Sequence, residues 1–253
     1  MADIARIVAL GASNLTRGFH TIVSAARAAW GPEVHIFAAL GHGRSYGASS
    51  RVFFRTLPGI LESGLWKTLE SLPSAPGRGL ITDVGNDILY GYSVPQILAW
   101  VDEAAQRLLQ ITQDVVLTNL PLESIRRLSS GKFLFYRSIL FPASRLAPAE
   151  AFEKMEQLNA GLAELAAVRN LKFFRLNPSW YGLDPIHIRP SLWRSAWQEI
   201  LDAPIDKGEA CRPSLEAVRL YMMAPELRRL FGIEQYTPQS GLRMSRGARI
   251  WLY

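Results

Sequence analysis

Short runs of aliphatic and β-branched residues alternate along the chain with longer segments whose apolar positions recur at three- and four-residue steps. That alternation is the pattern of stacked βαβ units around a parallel sheet. Strands are predicted over 6–10, 34–39, 79–83, 114–118 and 172–176, and helices near 17–30, 47–62, 94–111, 150–168 and 190–201. The 150–168 segment has the strongest period: Phe152, Met155, Leu158, Leu162, Leu165 and Ala166 fall on one stripe that should lie on the sheet. Five strands cannot close an eight-stranded barrel, and right-handed crossovers with short links favour an α/β/α sandwich. The expected fold class is therefore α/β, three layers around a five-stranded parallel sheet, with no internal repeat.

Two regions break the rhythm. Residues 122–146 insert Phe133, Phe135, Tyr136 and Phe141 after the fourth strand, either as a pocket wall or as an ordinary packed excursion. From 203 onward, Ala203-Pro204 and Arg212-Pro213 punctuate a helix expected near 214–231, and the apolar end Ile250-Trp251-Leu252-Tyr253 suggests a docked tail.

Composition narrows the class without naming a chemistry. A chain of 253 residues with 49% hydrophobic and 20% charged residues can bury a core without staples, which excludes disorder and collagen-like repeats. Cys211 is the lone cysteine, so neither an internal disulfide nor a thiolate metal cluster can form. The net charge is +6, and 23 of the 28 basic residues are Arg. Residues 203–253 hold eight bases against five acids, half of that excess, which suits tail docking or a subunit contact better than nucleic acid. The N-terminus lacks the basic cluster of a signal peptide and no run reaches the roughly 18 apolar residues of a membrane helix, so a cytoplasmic protein is expected.

Open parallel sheets collect function where their strands end. The first predicted strand ends in Gly11-Ala12-Ser13-Asn14-Leu15, where Ser13 can be a nucleophile or a helix N-cap. The second glycine of a GxSxG elbow is missing. After strand two, Gly41-His42-Gly43-Arg44-Ser45-Tyr46-Gly47 exposes backbone N–H groups but matches no phosphate or dinucleotide motif. Strand three runs into Val84-Gly85-Asn86-Asp87, where Asn86 can aim an amide into the crevice and Asp87 can cap a helix. Beyond strand five, Asp184-Pro185-Ile186-His187 pairs a carboxylate with an imidazole, fixing the tautomer and leaving Nε2 free as a base. All four segments fall on one rim. No further His or Cys completes a ligand set around Asp184 and His187, so no metal is expected.

In that order, GASN, the Gly41–Gly43 loop, VGND and DPIH resemble the blocks of the SGNH hydrolases, the GDSL-type esterases and lipases, over about residues 5–201. The resemblance implies a flavodoxin-like sandwich and a serine hydrolase without cofactor. It makes Ser13 the nucleophile, His187 the general base and Asp184 its orienting carboxylate. The oxyanion hole would comprise the Ser13 N–H, the Gly43 N–H with Gly41 as alternative, and the Asn86 side chain. Ala12 and Val84 depart from the usual aspartate and glycine of the first and third blocks.

On this reading residues 1–202 form the hydrolase-like domain and 203–253 a basic, helical C-terminal extension packed on it. The expected reaction is cleavage of a small carboxylic ester, for example an O-acetyl group, through an acyl-enzyme on Ser13. An O-acyltransferase using the same intermediate and a non-catalytic binding module on the same fold remain alternatives. Asn14, Gly41, His42 and Arg44 are candidate substrate contacts. The partner is a small ester rather than nucleic acid or a membrane, and oligomeric state is left open.

Overall fold

The computed structural model describes residues 4–127, 131, 134, 145–204 and 215–253. Strand β1 (Arg6–Leu10) sets the layering, because all five of its residues are buried and alternate residues face opposite sides. Val8 and Leu10 enter one core, Ile7 and Ala9 the other. β1 pairs in parallel with β2 (His35–Ala39) on one side and β5 (Gly77–Ile81) on the other. β6 (Val115–Thr118) and β7 (Lys172–Phe174) continue the sheet in parallel.

The first core is closed by α3 (Leu65–Glu70), α5 (Val94–Leu109) and α7 (Pro148–Val168), the last through the predicted stripe of Met155, Leu158, Leu162 and Ala166. Ser93 caps α5 by accepting from the Gln96 N–H, and Pro95 sits in its first turn, the usual chemistry of a helix start. The opposite core is closed by α2 (Phe19–Trp30) and α8 (Trp193–Ile200). The result is a three-layer α/β/α sandwich.

The sheet has seven strands, not five: β10 (Leu242–Arg243) and β11 (Arg249–Leu252) join it in the order β10-β11-β2-β1-β5-β6-β7. The added pair comes from the C-terminal segment. β11 lies parallel to β2, with Ile250 opposite Ile36 and Leu252 opposite Ala38, so the tail extends the same core.

Three predicted helices change on folding. The 17–30 segment divides at Gly18 into α1 (Ser13–Arg17) and α2, because a Cβ at Gly18 would lie 2.1 Å from the indole nitrogen of the buried Trp197. The 47–62 segment is a hairpin, β3 (Ser50–Val52) and β4 (Arg55–Leu57), followed by a 3-10 turn over Ile60–Glu62. The 214–231 segment is helical only as α9 (Leu215–Tyr221) before β8 (Leu227–Leu230) and β9 (Ile233–Tyr236). These four strands form a second, antiparallel sheet, β3-β4-β8-β9. The strand partner of 55–56 lies at 229–230, beyond the reach of any local periodicity. The aromatic insertion residues Phe133, Phe135, Tyr136 and Phe141, and Cys211, lie outside the described residues. Among the described residues no helix is long and apolar enough to cross a membrane.

Candidate active site

The carboxyl ends of β1, β2 and β5 and the loop after β7 converge. Ser13 is the first residue of α1 and caps nothing; its Oγ lies 2.9 Å from His187 Nε2. His187 Nδ1 lies 2.7 Å from Asp184 Oδ2, and the other Asp184 oxygen accepts from the Ile186 and His187 N–H groups. Ser13, His187 and Asp184 are therefore one hydrogen-bonded chain across 174 residues of sequence. Burial pushes the Asp184 carboxyl up, but its bonds to His187 and the Arg17 guanidinium at 3.6 Å outweigh that and hold it below the usual range.

What fixes the serine turn is Asp83, just past β5, in the left-handed region at φ 59. Its Oδ2 accepts from the N–H groups of Ala12 (3.0 Å), Asn14 (2.9 Å) and Leu15 (3.2 Å), and its Oδ1 from the Asn14 side chain (2.9 Å). Among the described residues the Ser13 N–H alone in that run has no acceptor, so it remains available to a ligand. Asn14, a candidate substrate contact, lines a small hollow beside Ser13, but its amide is committed to the protein. It is buried, its Nδ2 donates to Asp83 and the Ile186 carbonyl (2.8 Å), and its Oδ1 accepts from the Ile188 N–H (2.8 Å). Asp83 and Asn14 thus tie the serine turn to the histidine loop. The turn's N–H groups are held by a carboxylate from the loop that follows β5.

The second loop separates its two glycines. Gly43 has φ 64, faces the cleft, and its carbonyl accepts from Tyr90 Oη at 2.8 Å. Among the described residues its N–H has no acceptor. Gly41 stands away from the cleft, where a Cβ would lie 2.2 Å from the Leu57 side chain. Arg44 is fully buried and donates to the carbonyls of Leu40, Pro58 and Tyr253, so it is a structural tie and not a substrate contact. Burial and nearby Arg55 push its guanidinium down to about 9. His42 does line the cleft with an exposed edge; packing of its ring, then Arg55, Arg17 and His187, bring it down to about 4.

Asn86 opens α4 (Asn86–Leu89) and lines the cleft, with no partner for its amide among the described residues. Asp87 does not cap that helix. It is buried, accepts from the Tyr46 N–H at 3.1 Å, and is pushed up to about 6 by burial, against the pull of Ser45 and Tyr46. Tyr46, also buried, donates to the Leu10 and Thr82 carbonyls and accepts from the Thr82 N–H, joining the ends of β1 and β5 beneath the site. Sequence reasoning missed Asp83, Tyr46, Arg17 and Arg55. The one signal was Asp83 itself, an acid at the carboxyl edge of a buried strand.

Two hollows meet at Ser13, Asn86 and Ile186. The larger, about 450 Å³, is also lined by His187, Arg17, His42, Arg55 and the aromatic tips of the second sheet. The smaller, about 80 Å³, is walled by residues including Leu120, Ile125, Met155, Leu176 and Tyr181, and His187 does not line it. No group of His, Cys, Asp and Glu that could hold a metal occurs among the described residues.

No family model matches the sequence, and no curated protein matches it. Solved structures do. A carbohydrate acetylesterase family member from Sinorhizobium meliloti superposes with a TM-score of 0.51 at 16% identity, covering 87% of this chain and 99% of that one. Est24, a carbohydrate acetylesterase from the same organism, gives 0.52 at 15% identity over 78% of this chain and 97% of its own. The aryl esterase of M. smegmatis, in an inhibitor-bound form, gives 0.51 at 14% identity over 78% and 97%. At these identities the likeness is one of architecture: the chain shares the α/β/α fold of these solved esterases.

Proposed function

We propose that the chain is a serine esterase that cleaves short-chain carboxylic esters. The observation that carries this is the chain Ser13 Oγ to His187 Nε2 (2.9 Å) and His187 Nδ1 to Asp184 (2.7 Å), at the meeting point of two hollows. Ser13 Oγ donates to the lone pair on Nε2, while Nδ1–H donates to the Asp184 carboxylate. As Oγ attacks the ester carbonyl its proton passes to Nε2, and Asp184 stabilises the imidazolium. The carbonyl oxygen becomes an oxyanion that receives the Ser13 N–H, the Gly43 N–H and the Asn86 amide, each donor contributing roughly 10²–10³-fold. Collapse of the tetrahedral intermediate breaks the bond to the alcohol, whose oxygen takes the proton from Nε2. A water then repeats the sequence on the acyl-enzyme, and the acid departs.

The hollows separate the two halves of the ester. His187 must hand its proton to the departing alcohol, so the alcohol occupies the larger cleft, which His187 lines. The acyl group occupies the smaller pocket. At about 80 Å³ it has room for two or three water-sized groups, about 30 Å³ each, which suits acetyl or propionyl. Two of the solved structures of this fold are carbohydrate acetylesterases, in keeping with that size.

Ser13→Ala is expected to abolish turnover of 4-nitrophenyl acetate with an unchanged circular dichroism spectrum, and a fluorophosphonate probe should label the native protein on Ser13. Turnover retained by the purified variant overturns the reading.

A further inference from the structure

The larger cleft is one-sided in charge. Its lining carries two guanidiniums, Arg17 and Arg55, beside the His42 and His187 rings, and among the described residues no Asp or Glu lines it. Arg17 already faces Asp184 at 3.6 Å. Arg55 has no such partner: among the described residues no carboxylate or hydrogen-bond acceptor meets its guanidinium, which reaches inward beside Gly41. The charges that act on it and on its neighbours His42 and Arg44 are cationic; Arg228 and burial both disfavour its charged form. A partly buried cation without a counter-ion is unfavourable, and an anion bound beside it removes the cost.

The wall beside Arg55 shows a second, independent sign of use. Phe53 and Phe231 stand at the tips of the hairpins β3–β4 and β8–β9 with φ 53 and φ 50, backbone conformations that ordinarily fall to Gly, Asn or Asp. Both rings are exposed and line the cleft, and Phe54 stacks on Phe231 with ring centres 4.8 Å apart. Strained turns and exposed apolar patches concentrate at binding surfaces.

We propose that the leaving alcohol of the substrate is anionic and aromatic, its carboxylate paired with Arg55 and its ring laid against Phe54 and Phe231. This rests on the esterase reading and on the assignment of the larger cleft to the alcohol. A guanidinium in this half-exposed setting should favour the charged alcohol by about tenfold or more.

The test is a matched pair, 4-acetoxybenzoate against its methyl ester, with the 3-isomers alongside. Each kcat/KM is divided by the rate of the same ester with hydroxide, which removes the difference in leaving-group reactivity. The native protein is expected to favour the free acids at least about tenfold, with the preference shrinking as sodium chloride is raised. In Arg55→Gln the ratio should approach one, and in Arg55→Lys part of it should return. Equal rates for acid and methyl ester in the native protein overturn the proposal and leave the esterase reading standing; an unchanged ratio in Arg55→Gln overturns the role of Arg55. Because the native ratio and its salt dependence need no variant, a poorly folding Arg55→Gln does not protect the proposal. Failure of the native protein to hydrolyse any of these acetyl esters overturns the esterase reading itself.

Discussion

Replacing Asp83 by Asn exchanges one carboxylate oxygen for an NH₂ group at a place where every surrounding group donates. If the amide oxygen keeps facing the Ala12, Asn14 and Leu15 N–H groups, the new NH₂ meets the Asn14 Nδ2 donor that lies 2.9 Å from the present Oδ1. Turning the Asn14 amide over to relieve that clash sets its oxygen against the Ile186 carbonyl and its NH₂ against the Ile188 N–H. No rotamer of either amide satisfies the bridge. Loss of a charged acceptor weakens each of three bonds, and one buried donor pair is left unsatisfied at about 1–3 kcal/mol. The sum is about 3 kcal/mol, a fall of roughly 6–12 °C in Tm for a chain of this size. The same bridge aims the Ser13 N–H and holds His187 within reach of Oγ, and a shift of about 1 Å there costs on the order of 10²-fold in kcat. Thermal unfolding followed by circular dichroism, with 4-nitrophenyl acetate kinetics below the transition, measures both. A variant within about 0.5 kcal/mol of the native protein and with full kcat refutes the argument.

Two further outcomes follow from the site. Asp87, raised from 3.8 to about 6 by burial, keeps its proton in the folded state over a window in which the unfolded chain has lost it. Stability of the native protein should therefore fall by an amount on the order of 3 kcal/mol as pH rises from about 4 to about 6, and Asp87→Asn should lack that decline; parallel curves for the two proteins sink this. Met155→Ala enlarges the small pocket at a stability cost of about 2–4 kcal/mol, and the butyrate-to-acetate ratio of kcat/KM should rise about tenfold. An unchanged chain-length preference places the acyl group elsewhere.

Much of the site was readable because it is local. In a parallel sheet each strand's carboxyl end delivers the next few residues to one rim, so Ser13, Gly43, Asn86 and the Asp184–His187 pair could be placed together from strand order alone. The roles of Asn14 and Arg44 were not readable, because an amide or guanidinium on such a rim faces substrate or protein according to which loops meet above it. For Asn14 the meeting loops are those of Asp83 and Ile186; for Arg44 the carbonyls of Pro58 and Tyr253 take the side chain inward. The hairpin at 50–57 was mistaken for a helix for a related reason: its strands are three residues each, too short to show a period, and are held by pairing with β8.

By itself the amino-acid sequence determined the βαβ rhythm, the α/β/α layering and the order of the chemical blocks, since each depends on periodicities and turns within about twenty residues. Only the tertiary structure decided where the C-terminal segment goes. Its strands complete the central sheet through β2 and, through β4, build the aromatic and cationic wall of the cleft. Strand pairing between distant segments is chosen by which edges remain unpaired after the core has closed, a property of the assembled sheet that no local pattern encodes.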